Sequence, residues 1–282
     1  MKLVRFGPDG GEKPGLVDAD GAIRDLSAHV SDINGETLSP QGLAALSAID
    51  ANSLPLAPAD VRIGAPVSSS RSFIAVGLNY EDHAKEAGQA IPSEPILFNK
   101  LTKCIVVRND NVIQPKGSTK LDWELELAFV IGTRARYVAE ADAMAHIAGF
   151  AICNDVSERN FQLEREGQWM KGKCFENSGP LGPWLVTKDE IANVQDLDGS
   201  LDLNGRRMQT GNTKTMIFPV AFLLHYISQF MVLEPGDVVT TGTPPGVGAG
   251  MKPPVFLKPG DEMILRIAGL GEQHQKVVAA EA

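Results

Sequence analysis

The sequence of 282 residues predicts a mixed, β-rich α+β fold, in which a small N-terminal α+β domain precedes a larger domain. A single domain stops growing at roughly 250–300 residues, so one large domain with a small addition suits this length. The 28 glycines and 18 prolines indicate many turns, which favours strands over a helical bundle. A Pro-, Ala- and Ser-rich stretch from 55 to 72 predicts a boundary near residue 66 and domains 1–66 and 67–282.

The N-terminal domain is predicted to begin with short strands over residues 2–30, broken by glycine-rich turns. A short helix follows over residues 41–49. Ser39 is a residue type that is preferred as a helix N-cap, and Pro40 is a type that is preferred at the first position of a helix.

The larger domain alternates predicted strands with a few helices. Helices are expected over residues 81–88, 139–149 and 212–230, where helix-forming composition or an apolar period indicates them. Segment 72–80 is expected to begin as a buried strand and to end in a Gly-Leu-Asn loop. Further strands are expected where short apolar or alternating runs occur, over residues 96–100, 104–108, 121–132, 150–155, 237–242, 262–268 and 275–280.

Charge and composition exclude several classes of protein. A net charge of −9 argues against a nucleic-acid partner, which usually meets a basic face. The N-terminus MKLVRFGPDGG has no apolar leader, and the most apolar long stretch, residues 217–233, is too short and polar to span a bilayer. The three cysteines have no CxxC spacing. We therefore expect a cytoplasmic protein with reduced thiols and no membrane partner.

Three carboxylates stand out in the strand pattern. Side chains alternate along a strand, so Glu124 and Glu126 should share one face while Leu125 and Leu127 face the other way. Asp155 ends a second apolar strand. Carboxylates crowded on apolar strands repel one another, and burying them without a cation is costly. An all-oxygen set with no nearby Cys or His suits magnesium or manganese.

A simpler interpretation stays open at this point. A Glu-x-Glu pair alone is also typical of a strand face exposed to solvent, where no cation is needed.

The motifs in chain order resemble the fumarylacetoacetate hydrolase family over roughly residues 70 to 280. They are GLNYEDHAKEAG, DWELELAFVIG, ICNDVSERNFQ, KGKCFENSGPLGPW, NGRRMQTGNT and TTGTPPGVG. The resemblance implies a β-roll catalytic domain, a homodimer, and magnesium or manganese held by Glu124, Glu126 and Asp155.

The resemblance also implies roles for residues around the cation. Arg159, Gln162 and Thr243 match positions that contact the substrate. The position of Thr243 is the one that holds the carboxylate of the substrate. Lys173 matches the lysine of a motif usually written Lys-Ser-Phe-Asp, and the resemblance implies that it is catalytic. Here that motif is Lys173-Cys174-Phe175-Glu176, a departure at two of its four positions.

His83 and Glu86 match the pair that activates water in hydrolytic members of the family. Residues three apart share a helix face, so Glu86 can accept a hydrogen bond from one imidazole nitrogen. The other nitrogen is then free to act as a base near neutral pH. Taken without the resemblance, the same segment is typical of an exposed, charged short helix.

The predicted activity is metal-dependent hydrolysis of a C–C bond in a 2,4-dioxo acid. The substrate class is the acylpyruvates, with 2,4-dioxo-3-deoxy sugar acids as the leading specific case, and the products are pyruvate and a carboxylic acid. Alternatives on the same core are an oxaloacetate-type decarboxylase and a 2-hydroxy-dienoate isomerase or hydratase. A further alternative is a non-enzymatic module that binds a 2-oxo acid.

Overall fold

The computed structural model describes residues 1–68, 70–107 and 109–281. Its N-terminal part contains strands β1 (Lys2–Phe6), β2 (Lys13–Val17), β3 (Ile23–Asp25) and β4 (Ile63–Gly64), helix α1 (Pro40–Ser47) and a 3₁₀ turn (Ala51–Ser53). The short strands and the helix were predicted. Ser39 is the N-cap, and its hydroxyl oxygen accepts a hydrogen bond from the Gly42 amide at 3.0 Å.

The rest of the chain is mainly strand. Its strands are β5 (Phe73–Gly77), β6 (Ile96–Lys100), β7 (Ile105–Val106), β8 (Val112–Gln114), β9 (Leu121–Asp122), β10 (Leu125–Ile131), β11 (Ile147–Asn154), β12 (Ser157–Glu158), β13 (Gly179–Thr187), β14 (Asp198–Leu203), β15 (Arg206–Asn212), β16 (Val238–Thr240), β17 (Glu262–Ile267) and β18 (Gly271–Ala279).

The helices of this part are few and short. They are α2 (Glu81–Glu86), α3 (Arg159–Leu163), α4 (Met170–Lys173) and α5 (Val220–Phe230), with 3₁₀ turns at Thr102–Cys104, Glu140–His146, Lys188–Glu190, Thr213–Thr215 and Gly248–Gly250. No helix in the described ranges combines the length and apolarity needed to cross a lipid bilayer. The mixed, β-rich fold class is confirmed. The homodimer, the cytoplasmic location and the boundary near residue 66 stay predictions.

Several element boundaries differ from the predictions. The helix expected over 139–149 is a 3₁₀ segment that ends at His146, because Ile147 already begins the buried strand β11. The helix expected from residue 212 begins at Val220, with Pro219 as its N-cap. The strand expected over 121–132 is interrupted between β9 and β10. The strand expected over 104–108 is shorter, and Arg108 lies outside the described residues.

One large mixed sheet organises the fold. Its strand order is β3-β2-β1-β13-β11-β10-β16-β5-β6, with β4 added on β1 and β7 on β13. The N-terminal strands therefore extend the sheet through the β1–β13 pair. A second sheet has the order β15-β14-β17-β18-β8.

Both faces of the large sheet are covered, which explains why every residue of β10 is buried. Leu125, Leu127 and Phe129 point into the core that β17 and α5 share. Ala128 and Val130, on the alternate face, belong to the cluster shared with the N-terminal segment. The face of Ala128 and Val130 is also the face of Glu126, as the strand period requires.

Replacing Ser39 by Ala should lower the free energy of unfolding by about 1 kcal/mol, because the Gly42 amide loses its cap. Ser47→Ala is the matched control: this serine, at the other end of α1, bonds only the Ala44 carbonyl oxygen. Urea denaturation followed by circular dichroism measures both variants. Equal stabilities for the two would contradict the capping role.

Candidate active site

The register of the central strands brings the three predicted carboxylates together. In the antiparallel pair of β10 and β11, Leu125 lies opposite Asn154. One step further along, the Asp155 amide donates to the Glu124 carbonyl oxygen at 2.9 Å. Glu126 is two residues beyond Glu124. Oxygens of Glu124, Glu126 and Asp155 all lie within 4.8 Å of one another.

All three carboxylates are removed from solvent. Glu124 is 6% exposed, Glu126 2% and Asp155 0%. This burial contradicts the interpretation of the Glu-x-Glu pair as a solvated strand face. Three buried carboxylates this close together require compensating positive charge.

Lys173 and Arg159 supply part of that charge. The Lys173 ammonium donates to Glu124 Oε2 at 2.5 Å and to Asp155 Oδ2 at 2.7 Å. Arg159 donates to Glu124 Oε1 at 2.7 Å. Burial alone would raise the pKa of Glu124, but the charges of Arg159 and Lys173 outweigh it and hold that pKa well below its usual range. Glu124 is therefore ionised.

Lys100 is a third cation of the cluster, and the sequence analysis missed it. Its side chain is fully buried, and its ammonium donates to Asp155 Oδ1 at 2.7 Å and to the Lys173 carbonyl oxygen at 2.6 Å. It also donates to the Ser178 carbonyl oxygen at 3.0 Å. Lys100 thus fixes Asp155 and the backbone that carries Lys173. The available signal was a lysine that ends the short strand ILFNK, where a strand end opens towards the site.

Asp122 is a second functional residue that the sequence analysis missed. It is fully buried, and its Oδ2 accepts from Arg159 Nε at 2.8 Å. Its two oxygens also accept the Gly248 amide at 2.7 Å and the Ala249 amide at 3.0 Å. Asp122 therefore orients Arg159 and ties it to the TGTPPGVG loop. Its place in the LDWELEL motif was the only signal.

Glu126 differs from its neighbours because it forms no ion pair with any described residue. Its Oε2 accepts the Gly242 amide at 2.9 Å. Burial, together with repulsion from Asp155 and Glu124, raises the pKa of Glu126 well above its ordinary value. The all-oxygen donor set fits a hard divalent cation held by Glu124, Glu126 and Asp155.

His83 and Glu86 form the predicted pair on α2. His83 Nδ1 lies 3.2 Å from Glu86 Oε2. The Glu86 carboxylate also accepts the Gly246 amide, at 3.0 Å for one oxygen and 3.1 Å for the other. The loop that follows β16 therefore fixes the carboxylate, and the carboxylate orients the imidazole. The pair is more than a patch of charge on an exposed helix.

A cavity of about 280 Å³ joins these groups. Its lining includes seven of the nine site residues that the sequence predicted, namely His83, Glu124, Glu126, Arg159, Gln162, Lys173 and Thr243, together with Gly242. Asp155 lies behind Lys173, and Glu86 lies behind His83. Cavities of this kind, with few convergent polar groups, are typical of small-molecule sites.

Gln162 and Thr243 both line the cavity, but they differ in how many of their hydrogen-bonding groups are already used. Gln162 Oε1 accepts from Arg159 at 3.1 Å, and among the described residues its amide nitrogen has no acceptor. The Thr243 hydroxyl donates to the Leu125 carbonyl oxygen at 2.9 Å and accepts from Gln209 at 2.8 Å. A contact between the Thr243 hydroxyl and a substrate carboxylate therefore requires its proton to turn away from Leu125.

The unusual lysine motif keeps its lysine in place. Gly172 allows α4 to pack on α3, because a Cβ there would lie 2.4 Å from the Glu158 carbonyl oxygen. The Cys174 thiol donates to the Asn99 carbonyl oxygen at 3.4 Å, and Glu176 is exposed. Neither departure reaches the cavity, so the position of the Lys173 ammonium does not depend on them.

The β-roll fold and the buried carboxylate cluster at the cavity define a class of protein whose oxygen donors fit a divalent cation. The fumarylacetoacetate hydrolase C-terminal family model matches residues 72–278. This chain belongs to the fumarylacetoacetate hydrolase family, as the sequence motifs predicted.

The similarity of this chain to two individual proteins supports the assignment to this family. A Burkholderia lata protein, provisionally named a hydrolase, is 57% identical over 276 residues, which cover 98% of each chain. The fumarylacetoacetate hydrolase from psychrophilic Exiguobacterium antarcticum is 36% identical and superposes with a TM-score of 0.89 over 99% of this chain and 100% of its own.

Other solved structures in the family have different activities. Maleylpyruvate hydrolase from Sphingobium sp. SYK-6, solved with manganese(II) and pyruvate, is 28% identical with a TM-score of 0.82 over the full length of both chains. A 2-hydroxyhepta-2,4-diene-1,7-dioate isomerase from Mycobacterium marinum is 29% identical with a TM-score of 0.76, again over both full chains. The family thus includes hydrolases and isomerases.

Glu126→Gln should weaken binding of Mn²⁺ at least tenfold, because it removes the carboxylate that no protein cation neutralises. The apoprotein should stay folded, since glutamine resembles the protonated form that the raised pKa of Glu126 favours. Calorimetric titration and the rise in Tm on adding Mn²⁺ measure the effect. Glu164→Gln, at an exposed carboxylate paired with Lys120, is the control. Unchanged affinity in Glu126→Gln would exclude Glu126 as a ligand.

Lys100→Met should lower the free energy of unfolding by about 3–5 kcal/mol, because it leaves the buried Asp155 carboxylate without one of its cations. Lys103→Met, an exposed lysine three residues away, should change stability by less than about 0.5 kcal/mol. Urea denaturation of the metal-free proteins measures both. Equal losses for the two variants would contradict a role for Lys100 in the cluster.

Proposed function

We propose that the protein is a divalent-cation-dependent hydrolase that cleaves the C3–C4 bond of 2,4-dioxo acids of the acylpyruvate type. The products are pyruvate and a carboxylic acid. The observation that carries this proposal is the cavity itself. It places the carboxylates Glu124 and Glu126 and the imidazole of His83 around one space.

The carboxylate cluster serves the pyruvate half of the substrate. Breaking the C3–C4 bond leaves the pyruvate part as an enolate, so negative charge develops on its oxygen. Magnesium or manganese held by Glu124, Glu126 and Asp155 would supply Lewis-acid stabilisation of that charge. The acidic donor set also explains why the substrate's own carboxylate needs a cation in order to approach.

His83 serves the other half of the reaction. Because Glu86 accepts a hydrogen bond from Nδ1–H of His83, Nε2 is the nitrogen with a free lone pair. Nε2 can therefore take a proton from water. That water then attacks the C4 carbonyl carbon. Glu86 stabilises the imidazolium that results, and the Gly246 amide holds Glu86 in place. The protonated His83 returns its proton when the enolate becomes pyruvate.

Lys173 and Gln162 line the cavity and can stabilise the negative charge that develops on the substrate during the reaction. The pKa of Lys173 is raised: burial opposes its charge, but Asp155 and Glu124 outweigh the burial, so it stays an ammonium. The Gln162 amide nitrogen is free to donate to a bound oxygen. Preorganised donors of this kind are typically worth about 3 kcal/mol each in the transition state. Arg159 already bonds Asp122, Glu124 and Gln162, so we assign it to holding these groups in position.

The alternative functions would use the same carboxylate cluster, but they do not require His83 to activate a water molecule. An oxaloacetate-type decarboxylase needs no water for C–C cleavage, and a 2-hydroxy-dienoate isomerase needs only proton transfer. A module that merely binds a 2-oxo acid needs neither the base nor its carboxylate. The His83 imidazole lies at the cavity and is oriented by Glu86, whose carboxylate is held by the Gly246 amide. This arrangement therefore favours hydrolysis.

His83→Ala should lower kcat for acylpyruvate cleavage by at least about 100-fold, since it removes the general base. Binding of oxalate, an analogue of the pyruvate enolate, should stay within about threefold because the cluster is intact. Pyruvate release is measured by a coupled assay and oxalate binding by calorimetry, both with Mg²⁺ present.

The matched control is His274→Ala. This histidine also faces a carboxylate, with Nε2 3.8 Å from Glu262, but it is half exposed and lies on β18 away from the cavity. It should cleave at the wild-type rate. Wild-type turnover in His83→Ala would refute the hydrolytic mechanism, and absence of turnover in the wild type with normal oxalate binding would favour the binding module.

A further inference from the structure

The part of the cavity beyond Lys173 is lined by aromatic and aliphatic side chains. Phe98 on β6 and Trp169, immediately before α4, form an aromatic wall. Their ring centroids are 5.3 Å apart with an interplanar angle of 66°, an edge-to-face arrangement. Val76, Leu78 and Ile96 are the aliphatic side chains of the cavity lining. The pair is a preferred aromatic geometry, which fixes both rings.

Gly77 makes room for this wall. A Cβ at residue 77 would lie 2.6 Å from Trp169 Cζ3 and 3.0 Å from its Cη2, so only glycine allows the indole to lie on the β5 backbone. The position of Trp169 therefore follows from the packing of β5 and α4. It is part of the built cavity and not a side chain left free at the rim.

The wall begins next to the chemistry. The Lys173 ammonium, which bonds Glu124 and Asp155, is 5.0 Å from the centroid of the Phe98 ring. A substrate whose carboxylate end lies at the cluster can therefore extend along Phe98 and Trp169. In an acylpyruvate that remaining part is the acyl group.

The charges of the cavity point the same way. Among the described residues that line it, the only lysine and arginine are Lys173 and Arg159, and both already bond Glu124. A second carboxylate at the far end of a substrate would find no cation. Besides the charged groups, the polar side chains of the lining are His83, Gln89, Gln162 and Thr243, and the Thr243 hydroxyl already bonds Leu125 and Gln209, so a chain of hydroxyl groups would find few free partners. Burying either group without partners costs several kcal/mol.

We propose that the acyl group of the substrate is apolar and flat, as in aroylpyruvates, and is neither a dicarboxylic nor a polyhydroxylated chain. This inference rests on the proposed function and adds its substrate class. Trp169 and Phe98 determine the specificity: the apolar acyl group stacks on the wall while the dioxo acid end occupies the charged end of the cavity. The sugar-acid substrates named as the leading case in the sequence analysis are thereby disfavoured.

The test compares kcat/KM of the Mg²⁺-loaded wild type for benzoylpyruvate, acetylpyruvate, fumarylpyruvate and a 2,4-dioxo-3-deoxy sugar acid. Benzoylpyruvate should exceed fumarylpyruvate and the sugar acid by about tenfold or more, the range expected for an apolar pocket. Pyruvate from some of these substrates, but fastest from fumarylpyruvate or the sugar acid, would overturn the inference and leave the hydrolytic function standing. No pyruvate from any of them would overturn the function itself.

Two variants locate the preference in the wall. Trp169→Ala should lower kcat/KM for benzoylpyruvate about tenfold and leave acetylpyruvate, which is too small to use the wall, within about threefold. Gly77→Ala, which displaces the indole without removing it, should act in the same direction. Tyr137→Ala, at an aromatic residue that is 64% exposed and outside the cavity, is the control and should change neither. Equal losses for both substrates in Trp169→Ala would show a structural role only and overturn the assignment.

Discussion

The burial of a carboxylate cluster is the constraint on which the rest of this structure depends. Four buried acids meet three buried bases around one cavity, and the members are Asp122, Glu124, Glu126, Asp155, Lys100, Arg159 and Lys173. Carboxylates in such a place are tolerated only when cations lie within bonding distance. The protein's own bases leave Glu126 without an ionic partner. This carboxyl group without an ion pair supports the proposal that the cluster binds a divalent cation.

The sheet explains how so much charge can be held in a fixed geometry. The backbone of β10 is paired on both sides, to β11 and to β16, and both faces are packed. Glu126 therefore projects from a rigid strand, and Glu124 and Asp155 follow from the same register. The bases arrive from different directions, Lys100 from the end of β6 and Lys173 from α4. Sites on rigid elements hold their groups more precisely than sites on loops.

The cavity has a charged end and an aromatic end. In the proposed reaction the charged end would bind the carboxylate and stabilise the developing enolate, and the aromatic wall of Phe98 and Trp169 would receive an uncharged group. Lys173 lies at the junction, bonded to two carboxylates and close to the Phe98 ring. Solved structures of the family include a hydrolase and an isomerase, so the fold alone does not fix the reaction. In this chain the His83–Glu86 pair is the feature that supports the proposed hydrolysis.

The sequence by itself determined the family, the fold class and most of the residues that line the candidate cavity. Strand alternation was enough to put Glu124 and Glu126 on one face, because a period of two depends on the local backbone alone. The Ser39 cap and the His83–Glu86 spacing are likewise local. Lys100, Asp122 and the Trp169–Phe98 contact could not be predicted, since each joins residues far apart in sequence through the sheet order. Only the tertiary structure decided which cations neutralise which acids and what lines the far end of the cavity, because burial and pairing are properties of the packed chain and not of any segment of it.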